Sequence, residues 1–173
     1  MKKIKLIALL LVISTVLLAG CGAKQTKAPG SGQADLVTAA SMVSDQDSLL
    51  KAASKDGTWI ICLTKDIVVD KEIVLEGEFK NRGEVDRKIA LYSQDENRNK
   101  TATYTLEAPK LIVRSENTRI QGGTFKGDVY VEANGFRVID ATIEGNVYFA
   151  KEEYKSSFKL ENGGNVTGSI EVQ

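Results

Sequence analysis

KLIVRSENTRIQGGTFKG, residues Lys110 to Gly127, runs straight into DVYVEANGFRVIDATIEG, residues Asp128 to Gly145, and the two segments match in kind at most positions. Leu111 answers Val129, Val113 answers Val131, Ile120 answers Val138, Thr124 answers Thr142, Phe125 answers Ile143 and Gly127 answers Gly145, a period of 18 residues. A third copy opens at Asn146 (NVYFA), takes a short charged insertion around Lys151 to Ser157, resumes at Phe158 (FKLENGGNVTG) and closes at Gly168. A fourth begins with SIEV and runs to Gln173. Short apolar alternations broken by Gly, Asn and Asp suit strands and turns rather than a helix. A unit this short cannot bury its own apolar side, so the next copy must supply the core. Stacked copies put equivalent residues on neighbouring parallel strands about 4.8 Å apart. The expected fold is therefore all-β, a β-solenoid.

The spacing separates the two short-coil types. A left-handed hexapeptide helix needs a small aliphatic residue at every sixth position. The inward series here is Val113, Ile120, Phe125, Val131, Val138 and Ile143, with unequal steps of 7, 5, 6, 7 and 5. Unequal sides fit a right-handed parallel β-helix, the usual hand for parallel crossovers, and the domain length allows about six short coils.

Upstream, residues 1–20 have a cationic start (Lys2, Lys3, Lys5), an almost wholly apolar run from Leu6 to Leu18, and then Leu18-Ala19-Gly20-Cys21. The apolar run is short for a membrane span, and small residues directly precede the cysteine. The segment resembles a bacterial lipoprotein signal peptide with its lipobox. That resemblance implies that Cys21 is acylated and becomes the first mature residue, anchoring the protein outside the cytoplasmic membrane. Several acyl chains hold firmly, since each buried methylene contributes about 0.8 kcal/mol. The expected anchor point is the cell membrane or, in a two-membrane cell, the outer membrane.

Residues 21–43 then read as the acylated cysteine and a flexible tether, small, polar and punctuated by Gly and Pro; about twenty such residues span roughly 25 Å. The chain has 23 basic and 23 acidic residues, and loss of three signal lysines leaves 20 against 23, a net charge of −3. No basic face argues for nucleic acid.

The domain is expected over residues 44–173. Within SDQDSLLKAASKDG, Ser44 or Asp45 can cap a short helix, Leu49, Leu50 and Ala53 share a side, and Gly57 ends it. The strand-like run TWIICLTKDIVVDKEIVLEGEF follows at residues 58–79. A helix, a glycine, a hydrophobic strand and DIVVDKEIVLEG together resemble the opening of right-handed β-helix proteins of the pectate-lyase-like class. There a helix caps the first coil and shields its strand edges. The pieces FKGDVYVEA, TIEGNVYFA and VTGSIEV are similar to the short-coil solenoid of the bactofilins, bacterial scaffold proteins that polymerise. Residues 80–110 leave the repeat: KIALY and TATYTL flank a very polar tip at Gln94 to Lys100, so an enlarged coil with loops projecting on one face is expected.

Chemistry-bearing patterns are few. The chain has no histidine, which removes the commonest general base and metal ligand. Cys62, within the apolar WIICL, reads as a buried, inert thiol. Asp95-Glu96-Asn97-Arg98-Asn99 begins like a calcium loop, but Lys100 and Leu106 stand where the glycine and the closing glutamate belong. Asp66, Asp70, Glu72, Glu76 and Glu78 read as a solvated charged face. No catalytic residue, metal site or cofactor is assigned.

One column stands out. If Val129, Val131, Val147 and Phe149 point inward, alternation sends Tyr130 and Tyr148 outward one coil apart, with Ile112 before them and Glu171 after. Ile112, Tyr130 and Tyr148, with Arg114 and Glu132 nearby, form the candidate ligand-contact strip, an arrangement suited to sugar rings or another protein. The last coil, SIEVQ, offers an unpaired edge through which a homodimer is expected. The expected role is a lipid-anchored, extracytoplasmic, non-catalytic scaffold or interaction module that contacts cell-wall glycan or a surface protein. The alternatives are a carbohydrate-binding lipoprotein or a small polysaccharide lyase or hydrolase.

Overall fold

The computed structural model describes residues 40–173; the lipobox, Cys21 and most of the expected tether lie outside that range. The chain winds as a parallel β-solenoid of six turns, and its strands fall into one long sheet on one side and a segmented one on the other. The first turn holds β1 (Ala40–Val43) and α1 (Gln46–Ala53), and the second holds β2 (Ile60–Leu63), β3 (Ile67–Val68) and β4 (Ile73–Leu75). The third is enlarged by β5 (Lys80–Asn81) and β6 (Glu84–Val85) before β7 (Arg87–Ala90), and by β8 (Tyr92–Gln94) and β9 (Lys100–Thr103) before β10 (Thr105–Val113). The fourth turn is β11 (Thr118–Gln121) and β12 (Thr124–Val131), and the fifth is β13 (Arg137–Ile139), β14 (Thr142–Glu144) and β15 (Val147–Phe149). After α2 (Glu152–Ser156), the sixth turn is β16 (Lys159–Glu161), β17 (Asn165–Val166) and β18 (Ile170–Val172).

The first sheet stacks β1-β2-β7-β11-β13-β16, every pair parallel. On the second sheet β10 pairs with β12, matching Leu111 to Val129 and Val113 to Val131. Ile120 pairs with Val138, and Phe125 with Ile143. The register is thus the one the 18-residue repeat predicts. The inward ladder Ile73–Leu111–Val129–Val147–Ile170 and its neighbour Leu75–Val113–Val131–Phe149–Val172 run along the axis. Leu75, Leu111, Val113, Phe125, Val129, Val131, Val147 and Phe149 have no exposed surface. Burying such a side chain contributes roughly 1.5–3 kcal/mol, which is why the turns stay in register.

The corners repeat as well. The residue after each first-sheet strand adopts a left-handed conformation on three successive turns, at Gly122 (φ 90°), Asp140 (φ 49°) and Asn162 (φ 50°). Only Gly, Asn and Asp tolerate that region cheaply. The glycines that close each copy have another reason: a Cβ on Gly145 would strike the carbonyl oxygen of Gly127, and one on Gly127 would strike that of Ala108.

Two expectations change. The domain does not begin at residue 44: Ala40–Val43, assigned to the tether, pairs in register with Ile60–Leu63 as the first rung. Its short ASMV run has no repeat partner in sequence, and only pairing with β2 makes it a strand. Nor do the insertions share one side. The β5–β6 hairpin and α2 stand at the corner where the chain enters the first sheet, whereas the β8–β9 hairpin stands at the corner where it leaves. There Lys100 Nζ reaches Asp140 Oδ2 at 2.7 Å.

The expected cap is α1. Asp45 Oδ1 accepts from the Ser48 amide at 2.9 Å, and Leu49, Ala52 and Ala53 face the core. Sequence reading did not foresee what secures its other end. Arg87 points inward and is fully buried, and its Nη2 donates to the carbonyls of Ala52 and Ala53 at 2.8 Å each. Its guanidinium lies 3.9 Å from the Phe79 ring centroid. A cation at a helix C-terminus meets both the orphan carbonyls and the helix dipole. Desolvation lowers the Arg87 pKa to about 10, which leaves it cationic at neutral pH. Replacing Arg87 with Met should cost about 1–3 kcal/mol and remove hydrogen-exchange protection from α1 before the central turns. Unchanged α1 protection would rule out this clamp.

Candidate functional site

The outward face of the second sheet is built from residues two apart on each strand, because their neighbours are held inward. Ile112 pairs with Tyr130, Tyr130 with Tyr148 and Tyr148 with Glu171, so the expected column is present in full, preceded by Val74. The two tyrosine rings lie 5.0 Å apart at 43°, a tilted pair. Both are half-buried.

The flanking columns frame these rings. Lys110 Nζ sits 4.3 Å from the centroid of the Tyr130 ring, a cation–π contact. On the other side Arg114 Nε donates to Glu132 Oε2 at 2.8 Å. That hydrogen bond, and then the Glu132 charge, raises the Arg114 pKa. Desolvation, followed by the Asp128 carboxylate, raises the Tyr148 pKa. The phenol therefore stays protonated and can donate. Between the strip and the column Glu132, Ala150 and Gln173 lies a shallow groove of about 210 Å³. Its walls are aromatic and its rim is polar, with donors and acceptors at the edge and flat apolar area in the middle.

The five expected strip residues are therefore not equivalent. Tyr130 and Tyr148 form the open surface, and Arg114 and Glu132 satisfy each other at its edge. Ile112, next to Tyr130 in the same column, is only 9% exposed and offers far less surface than the tyrosines. Lys110 was missed, although its place two residues before Ile112 puts it on the same face. Asp128 was missed too: its Oδ1 accepts from both the backbone amide and the side-chain amide of Asn146, at 2.8 and 3.0 Å, and so braces the start of β15.

The remaining chemistry-bearing residues have structural duties. Asp95 closes the tip of the β8–β9 hairpin, accepting from the Asn99 backbone amide at 2.8 Å and from its side-chain amide at 3.0 Å. The calcium-like run is thus a turn, and these same bonds, the Asn99 side chain's first, lower the Asp95 pKa. Asp66 accepts from the Thr105 amide at 2.8 Å and fixes the start of β10. Among the described residues no group of three or more Cys, Asp or Glu is placed to hold a metal ion. Cys62 is half-buried rather than buried and faces outward on β2, since Ile61 and Leu63 take the inward positions.

Comparison with protein families, with curated proteins and with solved structures returns no match. The resemblances to pectate-lyase-like proteins and bactofilins accordingly gain no support beyond the solenoid architecture itself.

Burial pushes the Cys62 thiol pKa up, with only a smaller opposing effect from Lys88. At a given pH less thiolate is present, so in a Cys21→Ser chain at pH 8 iodoacetamide should modify Cys62 more slowly than free cysteine. Denaturant should restore the free rate. Equal rates in folded and unfolded chains would disprove the shift.

Proposed function

We propose that this protein is a lipid-anchored, extracytoplasmic interaction module whose solenoid presents the Tyr130–Tyr148 strip to a ligand and performs no catalysis. The carrying observation is the pair of half-buried, outward-facing tyrosine rings 5.0 Å apart on consecutive rungs. Rings fixed on a rigid sheet lose little entropy on binding and offer flat apolar area with polar edges. A sugar ring has the complementary character, with an apolar C–H face and a rim of hydroxyls for Glu132, Gln173 and the phenols. The reading thus favours a glycan of the cell surface over a protein partner. The lipobox-like segment ending at Cys21 supports the location, since it combines a cationic start, an apolar run and small residues before the cysteine.

Double replacement of Tyr130 and Tyr148 with Ala should abolish retention on isolated cell-wall glycan. Thermal stability should fall by only about 1–2 kcal/mol, since both side chains are outward. Retention unchanged in the double variant would refute the strip as the contact surface. The anchor is tested separately: Cys21→Ser should end incorporation of labelled fatty acid and release the protein from membranes. Continued labelling would refute acylation at Cys21.

A further inference from the structure

Asn is followed by Gly twice in the chain, at Asn134-Gly135 and at Asn162-Gly163, and both pairs stand at corners of the solenoid. Such a pair can react with itself. The glycine amide nitrogen attacks the side-chain carbonyl carbon of the asparagine, which requires that nitrogen to be free and the segment to bend until the two atoms meet. Glycine leaves the approach open, having no side chain to block it. The two corners differ in what holds them.

At the first corner the nucleophile is already committed. The Gly135 amide donates to Ser157 Oγ at 2.8 Å, and Asn134 Nδ2 donates to Glu153 Oε1 at 3.1 Å. The Asn134 carbonyl accepts from the Asn117 amide at 2.9 Å. Main chain and side chain are thus held by α2 on one side and by the preceding turn on the other.

The second corner lacks these ties. Asn162 and Gly163 are both exposed, and among the described residues neither the Asn162 side chain nor the Gly163 amide has a hydrogen-bond partner. A Cβ placed on Gly163 would have no atom within 4 Å. Asn162 sits at φ 50°, in the left-handed region that a residue with a Cβ occupies at a cost. Its flanking strands, β16 and β17, are paired on one side only, and segments so placed open most often.

We propose that Asn162 is a self-modification site, an asparagine that deamidates through the Gly163 amide while Asn134 is preserved by its contacts. The Gly163 nitrogen gives its proton to hydroxide and bonds to Asn162 Cγ; the Cγ–Nδ2 bond breaks, and Nδ2 leaves as ammonia. Water then opens the succinimide ring. Attack at Cγ yields aspartate, and attack at the main-chain carbonyl yields isoaspartate, whose backbone runs through the former side chain and is longer by a methylene.

The two products differ in consequence. Aspartate fits, because Asp140 occupies the same corner one turn earlier and is left-handed as well. Isoaspartate does not. The chain passes at once into Gly164, where even an added Cβ would strike the Val138 carbonyl oxygen, so the longer backbone pushes β17 and β18 off β14 and β15. Gln173, which follows β18, lines the tyrosine groove, and a change at the corner thereby reaches that surface. The inference does not depend on what the groove binds.

The test incubates the full chain in detergent at mildly alkaline pH and follows both corners by peptide mass mapping, with isoaspartate identified by enzymatic methylation of its carboxylate. In the folded chain Asn162 should deamidate about tenfold faster than Asn134, or more, whereas in denaturant the two should react alike. Ser157→Ala frees the Gly135 amide and should bring Asn134 up toward the Asn162 rate. Hydrogen exchange reads the consequence. The isoaspartyl fraction should lose protection at the Thr167 and Gln173 amides, which donate to the Ile143 and Phe149 carbonyls, and Asn162→Asp should keep it. Equal rates at the two corners of the folded chain, a faster Asn134, an Asn162 that reacts only in denaturant, or full protection in the isoaspartyl fraction would each overturn the proposal.

Discussion

Every feature of this domain depends on in-register stacking of parallel rungs. Leu111, Val129 and Val147 lie over one another because each turn alone exposes an apolar side that only the next turn can cover. A one-residue slip would turn a whole strand inside out, so the inward ladders fix the outward ones too. Whatever chemistry an outward position carries on one rung is set beside its counterpart on the next. A solenoid of this kind converts a choice of residue type into a line of that type.

The two sheets use this property in opposite ways. On the second, opposite charges succeed one another and cancel, and the tyrosines provide a small aromatic surface within a neutral frame. On the first, the cations Lys88, Arg119, Arg137 and Lys159 succeed one another, and the hairpin at its edge encloses a polar groove. The ends differ as well. At the N-terminal end α1 takes the place of the second-sheet segment in the first turn, and Arg87 clamps it there through the carbonyls of its last residues. Its Nε and Nη1 are buried without a partner, so part of the gain from the clamp is offset by desolvation. At the other end Leu160 and Val172 are 45% and 38% exposed, as expected of inward ladders that reach their last described rung.

Where the chain keeps its 18-residue period, the structure was legible in advance. The matches Val113 to Val131 and Phe125 to Ile143, and the outward placement of Tyr130 over Tyr148, needed only alternation and the repeat. Where insertions break the period, the same reasoning had nothing to count. Lys88 and Arg119 are separated by the β8–β9 hairpin, and Arg137 and Lys159 by α2; only Arg119 and Arg137 stand one period apart. The basic column was therefore invisible in sequence, and an overall charge near balance suggested no basic face at all.

The sequence by itself determined the class of fold and the register of its central turns, because a short repeated apolar pattern has no other way to bury itself. It also marked the tyrosine pair, which lies within that repeat. Only the tertiary structure decided where the insertions stand, that Arg87 turns inward to hold a helix, that Ala40–Val43 is a rung, and which cations share a groove. Those outcomes depend on contacts between residues at irregular separations. Such contacts exist once the turns have closed, and no local pattern records them.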